Sequence, residues 1–251
     1  MTANDLLGSV LVYLGLFGAA VGTFAVLRPV HWLRLSTRRR GALLLGTGLV
    51  FVLLGMAIPA PLRHAMGSTR LDEILPDYQF SEFHETEVEA TPAVIHRAIW
   101  QVTAREIRLF GLFTWIRSPH WPGRRKDETI LSAPADRPIL EVATSSGFRR
   151  LADEENEVVV GAAVITPRGL RPTGDLRKIP GLALAVMSFR TEPLGADRCR
   201  LTTETRIFAT DRSTFRRFKR YWRLIAPGSA ILRSTWLQAI RARAEREPAD
   251  R

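Results

Sequence analysis

The sequence predicts an α+β chain: an antiparallel sheet covered by one long C-terminal helix, preceded by an all-α hairpin of two membrane spans. Three observations predict it. Two runs of some twenty residues near the N-terminus hold no charged residue. A middle region alternates with the period of strands and holds two short helical segments. The chain then ends on "RRFKRYWRLIAPGSAILRSTWLQAI", which starts at Arg216, is periodic as a helix from either end, and carries Pro227-Gly228 in its middle.

The first uncharged run is "LLGSVLVYLGLFGAAVGTFAVL", residues 6–27, and the second is "GALLLGTGLVFVLLGMAIPA", residues 41–60. A helix needs roughly 20 apolar residues to cross a bilayer, because its backbone groups must bond within their own segment there. Asp5 and the lack of any basic residue before the first run argue against a cleaved signal peptide. Small residues recur at helical spacing, Gly15, Gly18 and Gly22 in one span and Gly41, Gly48 and Gly55 in the other, so the two backbones can approach closely. The connector "RPVHWLRLSTRRR" holds Arg28, Arg34, Arg38, Arg39 and Arg40. The positive-inside rule puts this connector in the cytoplasm of a bacterial inner membrane and the C-terminal domain on the outer side. Arg63 and Arg70 pull weakly the other way.

The net charge of +11 is carried almost entirely by arginine. Beside apolar spans such a balance points to anionic headgroups, and no interleaved stacking platform points to nucleic acid. One cysteine, Cys199, excludes an intramolecular disulfide and a cysteine metal cluster. Arg198 and Arg200 flank it and would depress its pKa were all three side chains together. The five histidines (His31, His64, His84, His96, His120) have no metal-ligand spacing, and no nucleophile elbow, phosphate loop or dinucleotide fingerprint occurs. No metal and no cofactor is expected.

After the spans (residues 1–62), residues 63–77 read as a linker, 78–247 as the soluble domain and 248–251 as a tail. "YQFSEFHETEVEA" alternates, so its acidic set (Glu85, Glu87, Glu89) faces water while Phe80, Glu82, His84, Thr86 and Val88 point inward. "TPAVIHRAIWQV" predicts a helix with Thr91 as cap and Pro92 in first position. "TAREIRLFGLFTWIR" predicts a second helix, with Thr103 and Glu106 in capping-box spacing and apolar residues around most of its circumference. Beyond the loop "SPHWPGRRKDE", the segments "ILEVATS", "FRRLADE", "EVVVGAAVI", "ALAVMSFRTEPL" and "RLTTETRIFATD" read as strands, with "DEENE" and "LGADR" as tight connections. Residues 166–181 read as an ordered loop or a broken strand, and Asp211 or Ser213 as the cap of the final helix.

This order of elements resembles the SRPBCC superfamily, the helix-grip fold shared by START lipid-transfer domains, pollen allergens and bacterial polyketide cyclases. The resemblance rests on "HETEVEATPAVIHRAIWQV", the strands ending "RLTTETRIFATD" and "RYWRLIAPGSAILRSTWLQAI", and covers about two-thirds of the chain. It implies a curved antiparallel sheet wrapped on the long helix, which lies across the mouth of a sheet-lined cavity. A kink or interruption at Pro227-Gly228 would let the helix follow the sheet, with Phe218, Trp222 and Ile225 packing before it and Leu232, Trp236 and Ile240 after it. His84, Trp100, Phe110, Phe113, Met187, Trp222 and Trp236 are then the candidate ligand-binding residues. The basic face of Arg216, Arg217, Lys219, Arg220 and Arg223 is either solvated or set against lipid phosphates.

Three readings of function follow. One is a membrane-anchored, non-catalytic domain holding a hydrophobic small molecule such as a lipid, isoprenoid, quinone or pigment. The second is a cyclase or hydratase with Glu82 and His84 as acid–base pair. The third is an accessory subunit docking through its spans on a membrane-protein partner.

Overall fold

The structure is a computed structural model that describes residues 2–28, 37–112, 133–170 and 173–246. The chain divides into two compact units. One comprises Met1–Pro61 with Arg216–Pro227, the other Leu62–Phe215 with Gly228–Arg251.

The first unit is built on an antiparallel pair, α1 (Ala3–Leu27) and α2 (Arg38–Ala57). Thr2 caps α1 by accepting from the Asp5 amide, and Thr37 caps α2 by accepting from that of Arg40. At 1.5 Å per residue the helices are about 37 and 30 Å long, and both are long and apolar enough to cross a bilayer. Their contact face is made of glycine: a Cβ on Gly15 would lie 2.6 Å from the Gly48 carbonyl oxygen, and one on Gly48 would meet that of Gly15 at the same distance. The other faces are apolar and open, with Leu14, Phe17, Leu43, Leu53 and Leu54 among the exposed side chains.

The third element of this unit was hidden in the sequence. Residues 216–227, the first half of the long helix, pack with the hairpin rather than with the sheet domain. Phe218 stacks at 6.0 Å on Trp222 and meets Tyr221 edge-on at 5.6 Å. Trp222, expected beside Trp236, therefore belongs to a different unit. Arg223 is not on the basic surface but fully buried, donating to the Asp5 side chain and backbone carbonyl and to the Ile58 carbonyl. Tyr13 donates to the Leu224 carbonyl at 2.5 Å, and Lys219 reaches that of Ala57.

The second unit opens with β1 (Arg63–His64), α3 (Arg70–Ile74) and β2 (Asp77–Tyr78), where a linker was expected. β1 and β2 pair antiparallel. Thr69 and Asp72 form a capping box at the start of α3, and the Glu157 carboxylate accepts from the amides of Arg70 and Leu71. Leu71 and Leu75 are buried with Val159 and Val186.

The main sheet contains β3 (Phe80–Val88), β4 (Arg149–Glu154), β5 (Glu157–Ile165), β6 (Ala183–Gly195) and β7 (Arg198–Ala209), all antiparallel in the order β3-β7-β6-β5-β4. Two-residue connections, Glu155-Asn156 and Ala196-Asp197, close the hairpins as expected. Its inner face carries Val88, Val158, Val160, Met187, Phe189, Cys199 and Leu201. These pack against α4 (Pro92–Gln101), α5 (Ile139–Ser145) and the second half of α6 (Arg212–Ala244) through Ile95, Ile99, Leu140, Trp236, Leu237 and Ile240. An antiparallel sheet with one long C-terminal helix, joined to two apolar N-terminal helices, is an α+β architecture consistent with a helix-grip fold.

Three local expectations are corrected. "ILEVATS" is helical: Ile139, Leu140, Val142 and Ala143 are buried at i, i+1, i+3 and i+4, whereas a strand would bury alternate residues. The expected second helix is helical at 110–112, its residues 113–117 lie outside the described residues, and no helix spans 103–109. Turns replace it there, Leu109 has φ +62°, and Glu106 accepts from both the amide and hydroxyl of Thr103, so the Thr103 hydroxyl does not cap an amide. Finally, α6 continues as helix through Pro227, so the alternative of a short interruption there does not hold, and Asp211 caps its start.

Candidate functional site

The inner face of the sheet carries polar side chains in two adjacent rows. Glu82 on β3 lies opposite Thr205 on β7, which lies opposite Met187 on β6. The next row is His84, Thr203 and Phe189. Period-2 alternation turns these side chains inward together. Glu82 is only 1% exposed, although it is a carboxylate on an edge strand.

One Glu82 oxygen, Oε1, lies 2.9 Å from His84 Nε2, while Oε2 is buried with no hydrogen-bond partner. Thr205 Oγ1 is likewise buried and unpartnered, and so is Trp236 Nε1 on α6. The Trp236 ring stands 5.3 Å from that of Phe189, and the Arg233 guanidinium sits 5.2 Å from the indole while donating to the Met187 sulfur. Three unpartnered polar atoms thus belong to residues grouped around Met187 and Phe189. Leaving a buried polar group unpaired costs about 1–3 kcal/mol, and such groups in native proteins are explained by a bound water, an ion, a ligand or a catalytic role. The set offers a carboxylate acceptor, a hydroxyl that donates or accepts, and an indole donor. It suits a polar substituent carried into an apolar enclosure. It also suits proton transfer, since a histidine and a carboxylate stand within hydrogen-bond distance.

The sequence-predicted residues separate accordingly. Glu82, His84, Met187 and Trp236 come together. Phe110 is buried in the same core, at the start of the helical stretch 110–112. Trp100 does not face this site: its Nε1 donates to Asp153 at 2.9 Å, with the Arg150 guanidinium 4.0 Å above its ring. Asp153 also bonds His96 at 2.9 Å. Burial would raise its carboxyl, but these hydrogen bonds and the Arg150 charge outweigh burial and hold it below the ordinary value. Phe113 lies outside the described residues. Thr205 and Arg233 were missed; Thr205 could have been found by extending the inward alternation of β3 to its neighbouring strand.

Cys199 sits on the inner face, buried in the core, and desolvation pushes its thiol up rather than down. Arg198 and Arg200 point to the opposite side, where they pair with Glu87 and Glu192. Arg216, Arg217 and Arg220 are exposed with no partner among the described residues, and Lys219 is half-buried. Burial, then the nearby Arg223 charge, lowers its pKa. No group of three metal-ligating side chains occurs among the described residues.

No protein-family model matches the chain, and no curated protein matches it. Among solved structures it is similar to the crystal structure of the Zhui aromatase/cyclase from Streptomyces sp. R1128, at 14% identity and a TM-score of 0.29, over 66% of this chain and 94% of that one.

Proposed function

We propose that the protein is a membrane-anchored, SRPBCC-like domain that binds a hydrophobic small molecule, without catalysis, on the inner face of its sheet. The observation that carries this reading is the group of unpartnered buried polar atoms, Glu82 Oε2, Thr205 Oγ1 and Trp236 Nε1, amid apolar side chains. A hydrophobic compound with one polar substituent, such as a hydroxyl or carbonyl, satisfies them and fills the apolar surroundings. The anchor is read from α1 and α2, whose exposed faces are leucine, valine and phenylalanine. Arg216, Arg217 and Arg220 meet lipid phosphates at its surface, and the charge of the connector favours the sheet domain on the outer side.

Mass spectrometry of organic extracts from the protein purified in mild detergent tests the reading. A compound at near-stoichiometric amount, lost in Glu82→Gln and Thr205→Val variants, is the expected result. Its absence from wild type across several membrane sources would overturn the reading.

The His84–Glu82 contact favours a second reading, a cyclase- or hydratase-like enzyme. There Glu82→Gln and His84→Ala change the metabolite profile of the host while the protein still folds. An unchanged profile rules that reading out.

A further inference from the structure

The sheet has a second face, and its concavity is not where a helix-grip ligand was expected. An open cavity of about 720 Å³ lies on the outer face, away from the core that α6 covers. Its floor is Gly161 and Ala163 of β5 with Leu184 and Val186 of β6, which pair in that order (Gly161 with Val186, Ala163 with Leu184). Ile74 of α3 and Leu75, which caps that helix, form one wall, Leu151 and Arg149 of β4 another, and Leu170 and Leu176 also line it. The cavity exists because β5 changes composition along its length. Val159 fills the same face where α3 covers it; at Gly161 the Leu151 side chain lies over the backbone, 2.7 Å from where a Cβ would stand, and the small Ala163 leaves the position beyond it open.

The rim is polar and mainly cationic. Arg149, opposite Gly161 in the register, is exposed and has no partner among the described residues. Arg177 pairs with Asp175 at 3.2 Å, and Lys178 reaches the same carboxylate at 3.9 Å. One acid is thus shared by two cations, and Arg149 is left unneutralised. An apolar floor with a lone guanidinium at its edge is complementary to a hydrocarbon chain ending in an anion. The volume is within the range of small-molecule sites, about 300–1,000 Å³.

We infer that this outer-face cavity is a second binding site, for a single-chain amphiphile whose anionic head, a carboxylate or a phosphate, pairs with Arg149 and whose tail lies on Gly161, Ala163, Leu184 and Val186. It shares no residue with the inner-face site, so the two stand or fall separately.

The full chain in nanodiscs of zwitterionic lipid would be photolabelled with a diazirine-bearing fatty acid, and labelled peptides mapped by mass spectrometry. The expected labels fall on β4, β5, Leu170 and residues 173–177. Arg149→Gln lowers labelling about tenfold, the loss of one charge-assisted hydrogen bond, and Ala163→Leu removes it by filling the floor. Arg149 is exposed, so its variant retains the fold even if Ala163→Leu does not. Unlabelled decanoate competes if the head is a carboxylate, decyl phosphate if it is a phosphate, and decyltrimethylammonium in neither case. Labelling that is insensitive to Arg149→Gln, equal competition by the cationic amphiphile, or labels confined to α1 and α2 would overturn the inference.

Discussion

The Arg223 guanidinium pairs with the Asp5 carboxylate at 3.0 Å, across 218 positions of sequence, and both side chains are buried to within 1%. The approach is possible because residue 8 is glycine: a Cβ there would come 2.5 Å from the Arg223 Cζ. Burying two charges is costly, and removing one of them leaves the other stranded at about 3–5 kcal/mol. Arg223→Leu and Asp5→Leu are therefore each expected to lower the thermal midpoint of the detergent-solubilised protein strongly. The double variant recovers most of the loss, and Gly8→Leu reproduces the single defects by expelling the guanidinium. Differential scanning fluorimetry of the four variants checks this; independent, additive losses from Arg223→Leu and Asp5→Leu would contradict the pairing.

A second buried pair ties residues 63–77 to the sheet domain. Arg206 lies 2.7 Å from Asp72 and from Glu204, donates to the Leu75 carbonyl and covers the Tyr78 ring at 4.7 Å. Arg206→Leu should cost about 3–5 kcal/mol, as for any buried ion pair deprived of one partner. Burial alone would raise the Asp72 carboxyl, but hydrogen bonds from Thr69 and the Arg206 charge outweigh it and hold it below the ordinary carboxylate value. A depressed folded-state pKa stabilises the fold above the ordinary carboxylate value and ceases to do so as pH falls through the folded one. Acid unfolding of wild type is thus expected to be steeper below pH 4 than that of Asp72→Asn, measured by tryptophan fluorescence.

Asp211 begins the long helix. Its carboxylate accepts from the amides and hydroxyls of Ser213 and Thr214 and from the Gly181 amide, where φ is +87°. These hydrogen bonds, led by that of the Ser213 hydroxyl, hold the carboxyl far below its ordinary range. Asp211→Ala should cost about 1 kcal/mol, a typical cap loss, and Asp211→Asn less because it keeps an acceptor. The Ala variant should also lose the acid-dependent part of stability, which in wild type is present above about pH 4 and fades only in strong acid. Equal stability of Asp211→Ala and wild type at pH 7 would contradict this role.

Sequence periodicity was enough for the hairpin, for the inward set of β3 and for the strands from Arg149 onward, because one apolar face repeats at a fixed interval in each. It failed where the deciding partner is remote. Asp5 in isolation looks like the flank of an apolar run, and Arg223 like one of five basic residues on a helix face; only the folded chain makes them a pair. Residues 63–77 carry Pro, Gly and charge like a linker, and their reason for folding is Glu157 and Arg206, far along the chain. "ILEVATS" holds a helical apolar pattern too short to distinguish from a strand. For the candidate site, Glu82 and His84 were legible from alternation on one strand, whereas Thr205 and Trp236 enter through sheet register and helix packing.

That division leads to a test of the inner-face site in which stability and binding move in opposite directions. The Thr205 hydroxyl and the Trp236 N–H are buried with no hydrogen-bond partner among the described residues. Replacing an unsatisfied buried polar group by an apolar one of similar shape is neutral or stabilising, because the desolvation cost is removed and no hydrogen bond is lost. Thr205→Val and Trp236→Phe should therefore leave the thermal midpoint of delipidated protein unchanged or raised. The same substitutions should reduce the hydrophobic compound retained by wild type, each by about tenfold for the loss of one hydrogen bond. Glu82→Gln keeps the shape and an acceptor, and also weakens retention if the ligand donates to Oε2. A purely structural role predicts the reverse pattern, in which Thr205→Val destabilises the protein and any retained compound is unaffected. Parallel scanning fluorimetry and extract mass spectrometry on the same purified samples distinguish the two.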